Sequence, residues 1–385
     1  LYCSIITLPK KRIKMNKYLI EQRKILNSKP IRRLADKTQV LSTSQRNAQI
    51  RTRLTHSLEV ASISQEIAFN IKYINMYELN PSVLYNISLL HDIGMSPLGH
   101  LGESTLNEVS KKYFDLNFEA NANNISVIEK KLADISLLTI VSTIKYPYLI
   151  KTNEKGKGLY QAQYDRYIPI LKEIIDIQNQ NNKIERIRTY ECDIMEISDD
   201  LAYLFSDLED YLSIVKKEDK ISSKEILEIF QKYNLDNPDL YDLFRDAIES
   251  GNFEKIESLR ADIISDVYFN YKKNTIEIKD EDYKKILKIV RYIDWNYYIS
   301  KYSLTCESNV IQDYKLLLNY VCENIEDARI IEKYIKSSTK LKEYKEAQKN
   351  NSSKEILGKI LITSFAELTD TYAIELINEY LKNEK

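Results

Sequence analysis

The chain has 385 residues, with 56 Lys+Arg against 57 Asp+Glu and a formal net charge of −1. That balance argues against a protein that coats nucleic acid or an anionic membrane by charge alone, although local basic patches remain compatible with it. Only 7 Gly and 7 Pro are present, too few for collagen-like chains, Gly-rich linkers or turn-dense β-sandwiches, and the composition favours long helices.

The chain opens LYCSIITLPKKRIKM, an apolar run of about eight residues with no basic segment before it, which is a poor signal peptide. Met15 is a candidate start, and the basic run 9–14 is too short and common to define a localisation signal. No stretch reaches the roughly 18 apolar residues that span a bilayer. The four cysteines, Cys3, Cys192, Cys306 and Cys322, are scattered without a C-x-x-C pair, so a reducing cytoplasm is the simplest setting.

The first strong helix falls at 56–72, where Leu58, Ile63, Ile67 and Ile71 form a stripe widened by Val60 and Phe69. A second spans 81–93, with Asn80 as N-cap and Pro81 as first helical residue. A long helix covers 187–215, and further helices are expected at 222–233, 238–249, 253–271, 282–300, 308–325 and 367–383. Loops are expected at 94–102, 147–164, 176–184 and 346–354, and weak strand signals lie near 37–41 and 271–278. The fold class is therefore all-α.

Only three histidines occur, His56, His91 and His100. His91 precedes Asp92 near the end of an apolar helix, where two polar groups are costly to bury unless paired. Metal coordination supplies such pairing, and imidazole with carboxylate suits Mn, Fe, Zn or Mg. Alone, a His-Asp dipeptide is a weak signal. Here it leads into GMSPLGHLGE, which ends in His100 and Glu103, while His56 sits in Arg53-x-x-His56-Ser57-x-Glu59. Downstream, Asp199, Tyr203 and Asp207 are spaced to share one helix face. By itself that last pattern reads as a solvated acidic face.

Together these segments resemble the deoxyguanosine triphosphate triphosphohydrolase-like branch of the HD-domain metal-dependent phosphohydrolases. RRLADKTQVL (32–41), RTRLTHSLEVASI (51–63), LLHDIGMSPLGHLGE (89–103), IKYP (144–147), ISDDLAYLFSDLED (197–210) and ELTDTYAIEL (367–376) match its motifs in order. The resemblance implies an all-α HD-domain helical bundle at 30–215, after an N-terminal extension at 1–29. A helical region at 216–385 would complete the pocket and the oligomer interface. It implies metal ligands His56, His91, Asp92 and Asp199 for Mn2+, Mg2+ or Fe2+, and a catalytic pair His100 and Glu103. Arg53, Lys145, Tyr146, Tyr203 and Asp207 would contact the nucleotide, as would Lys157, where the local match is loose.

The implied reaction is hydrolysis of a dNTP, dGTP first, at the α-phosphorus to deoxynucleoside and triphosphate. The chain departs from the family's N-P-P-F-G-H at Met95-Ser96-Pro97-Leu98-Gly99-His100, and Ser206 replaces a histidine. Lys359 and Thr363-Ser364 replace an expected Arg and Asp-Tyr. These departures bear on substrate preference and subunit contacts. The competing readings are an HD phosphohydrolase acting on a monophosphate or signalling nucleotide, and a dNTP-binding regulatory protein. The resemblance also implies a cytoplasmic homo-oligomer, often a hexamer, with single-stranded DNA or a second dNTP as effectors in some members. No motif here marks an effector site.

Overall fold

A computed structural model describes residues 16–39, 51–74, 76–179, 184–215 and 217–383. The basic run at 9–14, Met15, Val40, Leu41 and residues 180–183 of an expected loop lie outside them. The helices of the first half are α1 (Lys17–Leu26), α2 (Lys29–Arg33), α3 (Arg53–Ile71), α4 (Pro81–Leu90), α5 (Gly99–Phe114), α6 (Ala120–Lys131), α7 (Leu137–Ser142), α8 (Gln161–Gln178) and α9 (Tyr190–Ile214). The second half adds α10 (Ser223–Lys232), α11 (Pro238–Ser250), α12 (Glu254–Ser265), α13 (Glu281–Ile293), a π-helical stretch Asp294–Ser303 and α14 (Leu304–Glu323). It closes with α15 (Ala328–Tyr334), α16 (Ser338–Lys349), α17 (Lys354–Ala366) and α18 (Asp370–Asn383). The all-α reading holds, with two small antiparallel hairpins among the described residues.

Local chemistry explains where the key helices start. Asn80 caps α4 by accepting from the Ser82 N–H at 3.0 Å, and Pro81 opens it without forfeiting a helical hydrogen bond. Thr52 and Thr55 cap α3 reciprocally. Thr189 caps α9 by accepting from the Cys192 N–H at 3.1 Å.

Helices α3, α4 and α9 pack through Val60, Ile63, Ile67, Val83, Ile87 and Leu201, all buried. The stripe expected on α3 is corrected at two places: Leu58 is 37% exposed and Phe69 is 69% exposed. Two packed helices embrace α3 instead of one flat surface, so its buried face includes His56, Ser57, Ala61 and Ser64.

Other boundaries differ for physical reasons. The helix expected over 253–271 stops at Ser265, because Val267–Asn270 pairs with Thr275–Ile278 and sets Phe269 opposite Ile276. Alternate apolar residues bury one face of that hairpin, and Asn274 takes a φ of 55° that suits a tight turn. The weak strand signals at 37–41 and 271–278 therefore part company: Thr38 makes only an isolated bridge to Thr52. The expected loop at 94–102 is shorter, since α5 begins at Gly99. The helix expected over 282–300 turns π-helical at Asp294.

The largest core draws on both sides of residue 215, joining α3, α4 and α9 to residues 221–298. A second joins α5 to residues 314–377, and a third surrounds α7 and α8. No helix among the described residues is long and apolar enough to cross a membrane.

Candidate active site

The site forms where α3, α4 and α9 converge. His56 lies on the first turn of α3, His91 caps the C-terminus of α4, and Asp199 sits in mid-α9. Asp199 Oδ1 is 2.9 Å from His56 Nε2 and 3.4 Å from His91 Nε2. One donor atom from each of the three lies within 4.8 Å of the others, a grouping that could hold a metal ion.

The donor chemistry fits a divalent cation. His91 Nδ1–H donates to the Ser88 carbonyl at 2.6 Å, which fixes a proton on Nδ1 and turns Nε2 toward the acids, the nitrogen a metal ion would take. That buried Nε2 makes no hydrogen bond of good geometry. Asp92 stands beside this trio, its Oδ2 at 3.8 Å from His91 Nε2 and bonded to Arg53 Nη1.

The acids are held ionised by cations. Burial raises the Asp199 carboxyl, but Lys145, His91 and His56 outweigh it and keep it well below the usual range. Asp92 follows the same logic, with His91 and Arg53 as the dominant counter-charges. Lys145 Nζ reaches Asp199 Oδ2 at 2.7 Å and Glu196 Oε1 at 2.9 Å. Burial lowers Lys145, yet those two carboxylates raise it well above an ordinary lysine. Burial lowers His91 too, and Asp92 and Asp199 more than restore it. Arg186 and Arg188 clamp Asp193 and Glu196, which secures the start of α9.

The turn from His91 to His100 is built by close contacts. A Cβ on Gly94 would lie 2.3 Å from the Asn124 backbone nitrogen, and one on Gly102 would lie 2.0 Å from the Pro97 carbonyl. Neither site admits a side chain. Leu98 takes a φ of 62° just before α5. Asn123 and Asn124 grip this turn from α6: the Gly94 N–H donates to Asn124 Oδ1 at 2.6 Å, and Asn123 donates to the Gly94 carbonyl at 2.7 Å. The sequence reading missed both asparagines. The sequence carried no clear signal for them, because the stretch 120–131 is not markedly apolar and the burial of the two asparagines appears only in the fold.

His100 projects from the first turn of α5 with its side chain 80% exposed, and its Nδ1 is 3.4 Å from Glu103 Oε2. Glu103 also accepts from the Ala120 N–H at 2.9 Å. Burial raises Glu103, and His100 with that backbone N–H pulls it below an ordinary glutamate.

A cavity of about 170 Å3 gathers ten of the twelve residues singled out from sequence: Arg53, His91, Asp92, His100, Glu103 and Lys145, together with Tyr146, Lys157, Asp199 and Tyr203. His56 lies fully buried among the donor group without lining the cavity. Asp207 does not line it either; it is 1% exposed, two turns along α9 from Asp199. Lys157 Nζ stands 5.0 Å from the centre of the Tyr146 ring. Lys145, Tyr146 and Lys157 are shared with a wider surface groove of about 650 Å3 that adds Lys155 and Arg188. No residue beyond 203 lines the inner cavity among the described residues. The C-terminal segment acts from behind: Asp370 accepts from the Leu98 N–H at 2.9 Å and from Thr38 N–H at 2.8 Å. Buried Lys37 donates to the Met95 and Ala366 carbonyls.

The HD domain family matches residues 53–178. A deoxyguanosinetriphosphate triphosphohydrolase-like protein 2 from Mesorhizobium japonicum is 34% identical over 50% of this chain, and the aligned part spans 44% of that relative. This chain thus spans less than half the length of that relative. Relatives named deoxyguanosinetriphosphate triphosphohydrolase-like proteins match over more of their length. The one from Rickettsia typhi is 28% identical, covering 80% of this chain and 74% of its own. The one from Aliivibrio salmonicida is 25% identical over 93% and 91%. A hypothetical protein from Aquifex aeolicus, solved by crystallography, aligns with 86% of this chain and 71% of its own at 15% identity and a TM-score of 0.37, too loose a likeness for element-by-element comparison. Asp199 falls outside the matched HD segment, yet it closes the donor group begun by His56 and His91 inside it. Residues 53–178 thus match the HD domain family, Asp199 completes the donor group that this segment begins, and the chain is similar to deoxyguanosinetriphosphate triphosphohydrolase-like proteins over half of its length or more.

Proposed function

We propose that this protein is a metal-dependent dNTP triphosphohydrolase, with dGTP as the first substrate to test. The observation that carries this reading is one cavity lined by His91 and Asp199 of the His-His-Asp donor group, two acid-paired cations and a His-Glu pair, with His56 buried directly behind it. His56, His91, Asp92 and Asp199 would hold Mn2+, Mg2+ or Fe2+. Such an ion lowers the pKa of bound water and polarises a phosphoryl oxygen.

The chain's own residues do the rest. Arg53 and Lys145 are held at the edge of the site by Asp92 and Asp199, so they meet incoming phosphate oxygens without searching for a rotamer. Lys157 and Tyr146 extend positive charge and a hydrogen-bond donor into the outer groove, where a triphosphate tail has room. Water attacks the α-phosphorus, the bond to the 5′-oxygen breaks, and that oxygen takes up a proton. His100 suits this proton transfer because an imidazole nitrogen can both give and accept a proton, and its ring lines the cavity. Glu103 orients the imidazole and balances its charge when protonated. Tyr203 would meet the sugar edge, and Asp207 would reach the 3′-hydroxyl only if the Tyr203 side of the cavity opens. The helical region 216–385 supports the site from behind and offers the surface for a homo-oligomer, of which a hexamer is the form to test. Single-stranded DNA or a second dNTP is a candidate effector.

The test is product analysis with Mn2+ and each of the four dNTPs and GTP. Deoxynucleoside plus intact triphosphate, lost in His91→Ala, is the expected result. Nucleoside monophosphate plus pyrophosphate would replace it with a different phosphohydrolase reaction. Absence of turnover, with effector nucleotide or single-stranded DNA added, would overturn the enzymatic reading.

A further inference from the structure

A second cavity of about 310 Å3 lies between α5, α6, α17 and the segment around 149–161. Its walls include Phe118, Ile150, Leu159 and Ile362, all buried apolar residues. Three lysines from separate segments, Lys130, Lys151 and Lys359, stand exposed along it. None of the three has an ion-pair partner among the described residues. Asp115 and Glu355 also line the cavity, which leaves its wall with a net positive charge. Partial burial, then the charges of Lys340 and Lys359, push Lys130 below an ordinary lysine. An apolar interior with a rim of net positive charge complements an amphipathic anion: the body leaves water and the head relieves the crowding of like charges.

The same chain segment walls both cavities. Lys145, Tyr146 and Lys157 face the candidate active site, while Ile150, Lys151 and Leu159 face the second cavity. The segment is tied into one unit, for the Leu159 N–H donates to the Tyr148 carbonyl at 2.8 Å and the Ile150 N–H to the Leu159 carbonyl at 3.2 Å. Gly158 permits this closeness, since a Cβ there would sit 2.3 Å from the Tyr148 oxygen.

We propose that the second cavity binds a small organic anion with a ring-sized apolar body and a phosphate-like head, and that its occupant stiffens the 146–159 segment from the side opposite the active site. The inference goes beyond the hydrolase reading and does not depend on it. The probe is 8-anilinonaphthalene-1-sulfonate, whose fluorescence rises in apolar anion sites. It is titrated into the full chain with chelator present, and into His91→Ala, so that catalytic competence plays no part.

Saturable binding with one site per chain is expected, displaced by phenyl phosphate but not by equal inorganic phosphate. Lys130→Glu combined with Lys359→Glu should weaken it at least 10-fold. The control pair Lys342→Glu with Lys349→Glu, which makes the same charge change elsewhere, should leave it within 2-fold. Amide exchange over 146–159 should slow when phenyl phosphate saturates the site. Binding unchanged by the rim pair, or weakened equally by the control pair, overturns the site. Equal displacement by inorganic phosphate also overturns it, because charge alone then explains binding. Unchanged exchange over 146–159 overturns the coupling.

Discussion

Asp199 and Asp207 stand two turns apart on α9, and their ionisation is driven in opposite directions. At Asp199 burial opposes the charge, but Lys145, His91 and His56 outweigh it. At Asp207 burial dominates, Asp210 adds like charge, and neither Tyr203 nor Arg51 compensates, so the carboxyl is raised well above its ordinary value. Asp294, from the π-helical stretch, is raised in the same way, by burial and then by Asp207. Both of its oxygens are buried without a hydrogen-bond partner. Residue type and helix are the same at Asp199 and Asp207; counter-charge makes the difference. A carboxylate poised to hold a cation is surrounded by cations that keep it ionised. Where burial outweighs the neighbouring cation, as at Asp207 beside Arg51 and Asp294 beside Arg291, the carboxyl is driven toward its protonated form.

The strongest way to break the comparison is to remove the donors. His91→Ala should abolish retention of added Mn2+ and lower turnover on the order of 10^3-fold, roughly 4 kcal/mol of barrier. Metal content after gel filtration and steady-state rates check it. Full retention would mean that the cation-held acids serve another purpose.

Removing the counter-charge sharpens the comparison. In Lys145→Met, Asp199 loses its largest stabilising partner, and its pKa should rise. Protons then compete with metal at higher pH, so the acid limb of Mn2+ affinity should shift upward, with kcat/KM falling roughly 10- to 100-fold. Lys145→Arg should restore part of both. An unmoved acid limb would show that the two histidines alone hold Asp199 down.

Asp370 gives a third, smaller effect. It accepts from Leu98 and Thr38, linking the C-terminal segment to the turn before His100. Asp370→Asn exchanges an acceptor for a donor there and should cost about 1–3 kcal/mol. Activity measured well below the melting temperature should still fall, because Leu98 sets the start of the helix that carries His100. Loss of stability with unchanged turnover would leave Asp370 a structural tie only.

Asp370 also shows what the sequence made legible. Its motif was visible as part of an ordered series, but its partners were not, because they lie 272 and 332 residues away. The donor group entered through the same resemblance: three scarce histidines drew attention to it, but the residues alone left Asp199 on what read as a solvated acidic face. Ten of twelve candidate residues meet at one cavity. Asp207 does not, since spacing on a helix gives a common face and says nothing of what buries that face. Leu58 and Phe69 were misplaced likewise, because an apolar residue declares its preference and not the shape of its neighbours. The hairpin at 267–278 was half seen, as its first strand continues an amphipathic helical pattern from α12.

Asp294→Asn tests the other half of the comparison. A carboxyl whose folded pKa is raised favours folding fully at pH below its unfolded value, near 3.9. That contribution is lost as pH rises through the folded value, because the unfolded chain then gains more by ionising. Asp294 is raised by burial and by Asp207, so wild-type stability should decline from acid toward neutral pH through this group. An uncharged amide of similar shape removes the decline. Asp294→Asn should match wild type near pH 4 and exceed it at pH 8 by about 1 kcal/mol, or about 2 °C in Tm. The comparison fails if the variant is less stable at pH 8, since Asp294 would then be an ionised, satisfied carboxylate and lack of counter-charge would not set this region apart.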